Sequence, residues 1–138
     1  MSRTPTSRLG AAVPAALLLG LCAAAGADEF DDAELARWQQ QYFDVVAEGR
    51  RLFTSDELGT NKLVCAQCHP NAANTHPETY PKLQQQLGRV VSLWEMINWC
   101  IRNPLEGEAM HPADPRMIAL EAYIHEERRG VPLSPGKH

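Results

Sequence analysis

The sequence predicts a single all-α domain of four to five helices behind an export signal. Three observations predict it. Apolar residues recur at three- and four-residue steps in several segments, and no run alternates apolar and polar residues as a strand would. The 138 residues also leave room for only one modest domain. There is no internal repeat, no glycine-rich phosphate loop and no convincing Ser-His-Asp spacing.

The chain opens on Arg3 and Arg8, followed by the apolar run 9–25, which is short and rich in Ala and Gly for a membrane span. Ala25-Gly26-Ala27 has the small-x-small form of a cleavage site, and Asp28-Glu29 follow. The expectation is a signal peptide over 1–27, cut after Ala27, and a periplasmic mature chain without stable membrane insertion. An uncleaved anchor is the first alternative. A lipoprotein site at Cys22 is the second, and Leu21, too large for that processing, speaks against it.

Losing Arg3 and Arg8 lowers the Lys and Arg count from 13 to 11 against 17 Asp and Glu, so the net charge moves from −4 to −6. That balance argues against nucleic acid and leaves a redox partner with a basic patch as the compatible kind. Three cysteines remain: Cys65, Cys68 and Cys100. An odd count in an oxidising compartment suggests separate chemical tasks rather than a simple disulfide.

In residues 30–53, Leu35, Trp38, Tyr42, Val45, Val46, Gly49 and Phe53 keep helical spacing, with Asp31 or Asp32 as cap. Residues 54–61 read as a loop, 64–69 as a tight helical turn, and Pro70 to Pro81 as loop again. A helix follows from about Ser92 to Ile101, closed by Asn103-Pro104, and then an irregular stretch over 103–114. The last helix takes Asp114 as cap and Pro115 as its first residue and runs to about Arg129. The domain thus spans 28–130, with 131–138 as a flexible tail.

Cys65-Ala66-Gln67-Cys68-His69 is a C-x-x-C-H motif. Three-residue spacing on a helical turn puts two thiols on one side, where they can add to the two vinyl groups of one porphyrin edge. The adjacent histidine then turns its imidazole to the iron. A C-x-x-C redox pair needs no such histidine, and a zinc ribbon needs a second cysteine pair, which the chain lacks. The motif therefore predicts one covalent haem c, on Cys65 and Cys68, with His69 as proximal ligand.

In the flanks, Gly49 and Phe53 precede the motif, and Ala119, Leu120, Tyr123 and Ile124 form one stripe of the last helix. These positions resemble the cytochrome c fold, in which the first and last helices cross beside the haem with a small residue at the crossing. The sixth iron ligand is open among Cys100, Met96, Met110, Met117, His76, His111 and His125. Met110 lies just before the last helix, where cytochromes of the histidine/methionine type keep their ligand. Cys100 shares a helical face with Leu93, Met96, Ile97 and Ile101, so it projects into the core. Buried cysteines often serve simply as small hydrophobes. His76 would need a sharp fold-back to reach the iron and reads as exposed or locally hydrogen-bonded. His125 reads as surface, and Trp94 and Trp99 as core or haem packing.

Gly88-Arg89-Val90-Val91-Ser92, Met96-Ile97-Asn98-Trp99-Cys100, Gly107, Met117 and Leu120-Glu121-Ala122-Tyr123-Ile124 carry a family resemblance. Over roughly 48–130 the chain looks like the cysteine-ligated haem domain of thiosulfate dehydrogenases. It is similar, more distantly, to the cysteine-ligated cytochrome subunit of the Sox sulfur-oxidation system. The resemblance implies Cys100 as distal thiolate, with Met110 the alternative, and an electron-transfer role linked to sulfur-compound oxidation. It further implies that Cys100 and basic groups near the haem, Arg89 and Arg102 first and Lys82 third, are the candidates for binding and oxidising a sulfur anion. Those cations also suit plain solvation or haem propionates. The dehydrogenases resembled carry a second haem domain, whereas this chain has one C-x-x-C-H and would need a partner haem protein. That departure tilts the reading toward an electron carrier or the small subunit of a larger assembly. A gas sensor with a displaceable distal ligand is a third reading.

Overall fold

The computed structural model describes residues 30–133. The expected signal peptide and the end of the expected tail lie outside the described residues. Helix α1 spans Asp32–Thr54, and its start is capped by the Asp31 carboxylate, which accepts from the Glu34 N–H at 2.7 Å. Helix α2 is the single turn Cys65–Cys68. Two 3₁₀ turns follow, Pro70–Ala72 and Pro77–Thr79. Helix α3 spans Leu93–Arg102 and α4 spans Pro115–Glu127, with Asp114 capping α4 and Pro115 opening it.

The framework is helical as expected, with one addition. Strands β1 (Lys82–Gln84) and β2 (Arg89–Val91) form an antiparallel hairpin in which Leu83 faces Val90. Three residues are too few to display an alternating pattern, which is why no strand was legible there. Gly88, with φ 64°, closes the turn in a conformation that glycine adopts freely.

α1 and α4 cross at Gly49. A Cβ there would sit 2.7 Å from Tyr123 Cβ and closer still to the Ala119 carbonyl, so only glycine lets the two backbones meet. Phe53 and Tyr123 pack at 5.1 Å between ring centroids beside this crossing. The periodic stripe of α1 is buried only at its C-terminal end, in Gly49, Leu52 and Phe53, while Leu35 is 47% exposed. Length explains this. α1 extends about 35 Å and α4 about 20 Å at 1.5 Å per residue, so α4 runs out first. Tyr42 marks its end, donating to Glu126 Oε2 at 2.9 Å and accepting from Arg129 at 3.1 Å.

The segment between α1 and α2 is laced to the one after α3. Thr60 N–H donates to Leu105 O at 3.0 Å, Thr60 Oγ1 to Glu106 O at 3.0 Å, and Asn61 Nδ2 to Pro104 O at 2.7 Å. Gly107 is needed here because a Cβ would overlap the Leu58 carbonyl. The core joins Leu52 and Phe53 of α1, Ile97 and Ile101 of α3, and Met117, Leu120 and Tyr123 of α4. At about 25 cal/mol per Å² of buried apolar surface, such a core is the main stabilising term.

Candidate functional site

The site begins with α2. Gln67 accepts the Val64 N–H at 2.9 Å through its side chain and so caps the turn. The His69 N–H then donates to Cys65 O at 3.0 Å, which closes the turn on the histidine. Beyond it, His69 Nδ1 lies 2.9 Å from the Ala73 carbonyl. A carbonyl only accepts, so Nδ1 carries the proton and Nε2 presents its lone pair. An outer partner of this kind fixes both tautomer and ring orientation in metal-ligating histidines.

Cys65, Cys68 and Cys100, the three cysteines among the described residues, are free thiols. Cys65 packs against the core, and burial pushes its pKa up to about 11, with Cys100 and then Cys68 adding to the shift. Burial likewise raises Cys100 to about 11, with a further contribution from Cys68. Cys65 and Cys100 therefore both lie in apolar surroundings, close enough to each other and to the exposed Cys68 to interact. A thiolate in such surroundings needs a nearby cation, which is the service a metal performs. Tyr80, raised chiefly by burial and further by Cys100, lies on the Cys100 side, and Gln84 Nε2 donates to its hydroxyl at 2.5 Å. Lys82 Nζ sits 4.5 Å from the centroid of the Tyr80 ring.

Residues 48–133 match the family model described as SoxA/TsdA, cytochrome c domain. The chain belongs to the SoxA/TsdA cytochrome c domain family. A comparison with curated proteins finds no match. As a member of this family the chain is a haem protein of electron transfer, with covalent haem c and its iron, and such cytochromes work with partner proteins. Among the described residues no helix is long and apolar enough to cross a membrane.

The residues present in this SoxA/TsdA domain fit a haem. Among the described residues no three His, Cys, Asp or Glu side chains gather closely enough to hold a bare metal ion. The donor set is instead an exposed Cys68 and a half-buried Cys65 on one turn, an imidazole with its outer nitrogen already tied, and a half-buried thiol on another helix. That set suits a ring that brings four of its own iron ligands. The His76 Nε2 atom, buried and without a hydrogen-bond partner, is a further polar group awaiting one.

The other candidates are distributed as follows. Met110 is buried, and its backbone is held by Asn98. Met117 is fully buried against the core, Met96 is half-buried on α3, and His111 and His125 are exposed. His76 is not exposed: only 14% of its side chain is accessible, and Nδ1 lies 3.4 Å from Glu78 Oε1. Arg89 and Arg102 come together with Trp94 and Trp99 around a cleft of about 150 Å³. Arg89 is ion-paired to Glu95 at 2.7 Å. Cys100 does not line this cleft. At about 100° per residue, Arg102 stands about 200° round α3 from Cys100, on the opposite face. The group that interacts with Cys100 from this direction is Tyr80, whose ring carries Lys82 on its face.

Sequence reasoning missed two site features. Asn98 ties α3 to the Met110 segment, and its place in Ile97-Asn98-Trp99-Cys100 was the only signal. Tyr80 lies far from Cys100 along the chain, and nothing local marks it.

Proposed function

We propose that this chain is an exported, periplasmic monohaem cytochrome that passes single electrons in sulfur-compound oxidation. In this reading Cys65 and Cys68 form the thioether bonds, His69 Nε2 is the proximal ligand and Cys100 the distal one. Residues 1–27 are the signal removed after Ala27. The supporting observation is the neighbourhood that Cys65, Cys68 and Cys100 share, with the ligating nitrogen of His69 left free by the Ala73 bond. The haem, when bound, stores and releases one electron at its iron. The protein attaches it, orients the His69 ring through Ala73, and excludes water with the α1–α3–α4 core. A thiolate at Cys100 donates electron density and favours ferric iron, giving a low potential, whereas Met110 would raise it.

Electron paramagnetic resonance of the ferric protein tests the ligand pair. A low-spin histidine/thiolate signature is expected, replaced in a Cys100→Met variant by a histidine/methionine one with a higher potential. An unchanged ferric spectrum in that variant would sink the assignment. Loss of covalent haem in Cys65→Ala and Cys68→Ala, read as pyridine haemochrome in the denatured protein, tests the attachment.

A second reading, the haem subunit of a thiosulfate-oxidising enzyme, draws on Tyr80 near Cys100 and on Lys82 over the Tyr80 ring. A cation there suits a sulfur anion approaching the iron. Joining two such anions through a new S–S bond releases two electrons, and one haem iron accepts one, so a partner haem protein is required. Thiosulfate-dependent reduction of the purified ferric protein would favour this reading, and inertness would favour the carrier.

A further inference from the structure

We propose that His76 donates a hydrogen bond from Nε2 to a haem propionate and thereby positions the porphyrin rim. The proposal rests on the reading above, a haem on Cys65 and Cys68 with His69 beneath its iron.

The first observation is the orphaned atom. His76 Nε2 is buried and has no hydrogen-bond partner, whereas Nδ1 faces Glu78 Oε1 at 3.4 Å. A buried ring nitrogen with nothing to bond is costly, and native structures seldom leave one so. The second observation is the backbone that holds it there. Asn71, Ala72, Asn74 and His76 all take positive φ, at 50°, 54°, 63° and 49°, and none is glycine. His76 also precedes Pro77, which makes the left-handed conformation rarer still. Such strain persists only where surrounding structure enforces it, and it gathers at functional sites. Thr75 Oγ1 donates to Ala72 O at 2.7 Å and Thr79 Oγ1 to His76 O at 2.7 Å, bracing the loop around the ring.

The path of the loop selects the acceptor. At Ala73 the chain is tied to His69 Nδ1, on the proximal side. By Tyr80 it has reached the side of Cys100. His76 lies between these points along the chain, and we infer that its inward-facing nitrogen is directed to the rim of a bound porphyrin rather than to an axial position. The hydrogen-bond acceptors at a haem edge are the two propionate carboxylates. The imidazole then faces Glu78 with Nδ1 and donates its Nε2–H to a propionate carboxylate.

The test uses the holoprotein with His76→Phe and His76→Gln. Phenylalanine fills the space without a donor, whereas the glutamine amide retains one. The expected result is a shifted propionate bending band in resonance Raman and a lower midpoint potential for His76→Phe, because the propionate charge is less compensated. His76→Gln should stay near the native values, and the ferric paramagnetic resonance should be unchanged in both. An unmoved band and potential in His76→Phe would overturn the proposal and leave a water as the partner. A changed ferric signature would overturn it by making His76 an iron ligand. If neither variant folds, nitrogen-15 NMR of the native ferrous holoprotein decides. A protonated Nε2 supports the bond, and a bare Nε2 overturns it. Absence of covalent haem in the native protein's haemochrome would remove the underlying reading as well, and is told apart by that measurement.

Discussion

Asn98 holds both backbone groups of Met110: its Nδ2 donates to Met110 O at 2.7 Å, and the Met110 N–H donates to Asn98 Oδ1 at 2.8 Å. Asn98 is 3% exposed, the only buried polar residue of the core among those described. One amide thus locks α3 to the segment leading into α4. Cys100, two residues further on, inherits a helix whose position is fixed from outside. An Asn98→Ala change leaves the Met110 N–H and C=O unpaired in the interior. At about 1–3 kcal/mol for each buried group left unpaired, we expect a loss of about 3 kcal/mol. Urea unfolding measures it, and a loss under about 1 kcal/mol would contradict this role.

Gly49→Ala tests the α1–α4 crossing. The new Cβ meets the Ala119 carbonyl and Tyr123 Cβ, so the helices must part. Overpacking of this kind costs about 1–3 kcal/mol, or more where backbone is the obstacle, despite the higher helix propensity of alanine. Thermal unfolding should show a clearly lower midpoint, and near-wild-type stability would show that the crossing is looser than it looks.

Two carboxylates should give opposite pH behaviour. The Glu95 pKa lies below the ordinary carboxylate value, held there by the Ser92 backbone N–H first and then by Arg89. Its stabilisation is present above the unfolded pKa and fades as pH falls through the folded one. Glu121 is raised by burial, so its ionisation opposes folding above its folded pKa and stops doing so once both states are protonated. Glu95→Gln should therefore destabilise at neutral pH, and Glu121→Gln should stabilise there. Both differences should shrink toward acid pH. Urea midpoints at neutral and acid pH check this, and a shared sign at neutral pH would refute it.

Three cation variants separate the basic groups. If a sulfur anion reacts beside Cys100, Lys82→Gln should slow thiosulfate-dependent haem reduction about tenfold, the effect of losing about 1.4 kcal/mol of anion attraction. Arg89→Gln and Arg102→Gln, on the other face of α3, should change that rate little. A larger loss from Arg102→Gln than from Lys82→Gln would place the anion in the Trp94–Trp99 cleft instead.

Met110→Leu tests the alternative ligand from its own side. It should leave the ferric paramagnetic resonance unchanged and lower stability by less than about 1.5 kcal/mol, since the volume is conserved. A new ferric species would make Met110 the ligand.

The amino-acid sequence by itself determined the cofactor chemistry and the helical frame. C-x-x-C-H is local, since its three groups act within one turn, and the three- and four-residue periodicities of α1, α3 and α4 are local as well. The capping of α4 by Asp114 and Pro115 was legible for the same reason. Tertiary structure decided what depends on distance across the chain. It brought Tyr80, with Lys82 over its ring, near Cys100 and gathered Arg89 and Arg102 at the cleft on the other face of α3. It spent Asn98 on Met110 and left half the α1 stripe uncovered because α4 is shorter. It also turned His76 Nε2 inward on a strained loop. Sequence spacing carries angular position around one helix, but which groups meet is set by packing between elements, and that exists only once the chain has folded.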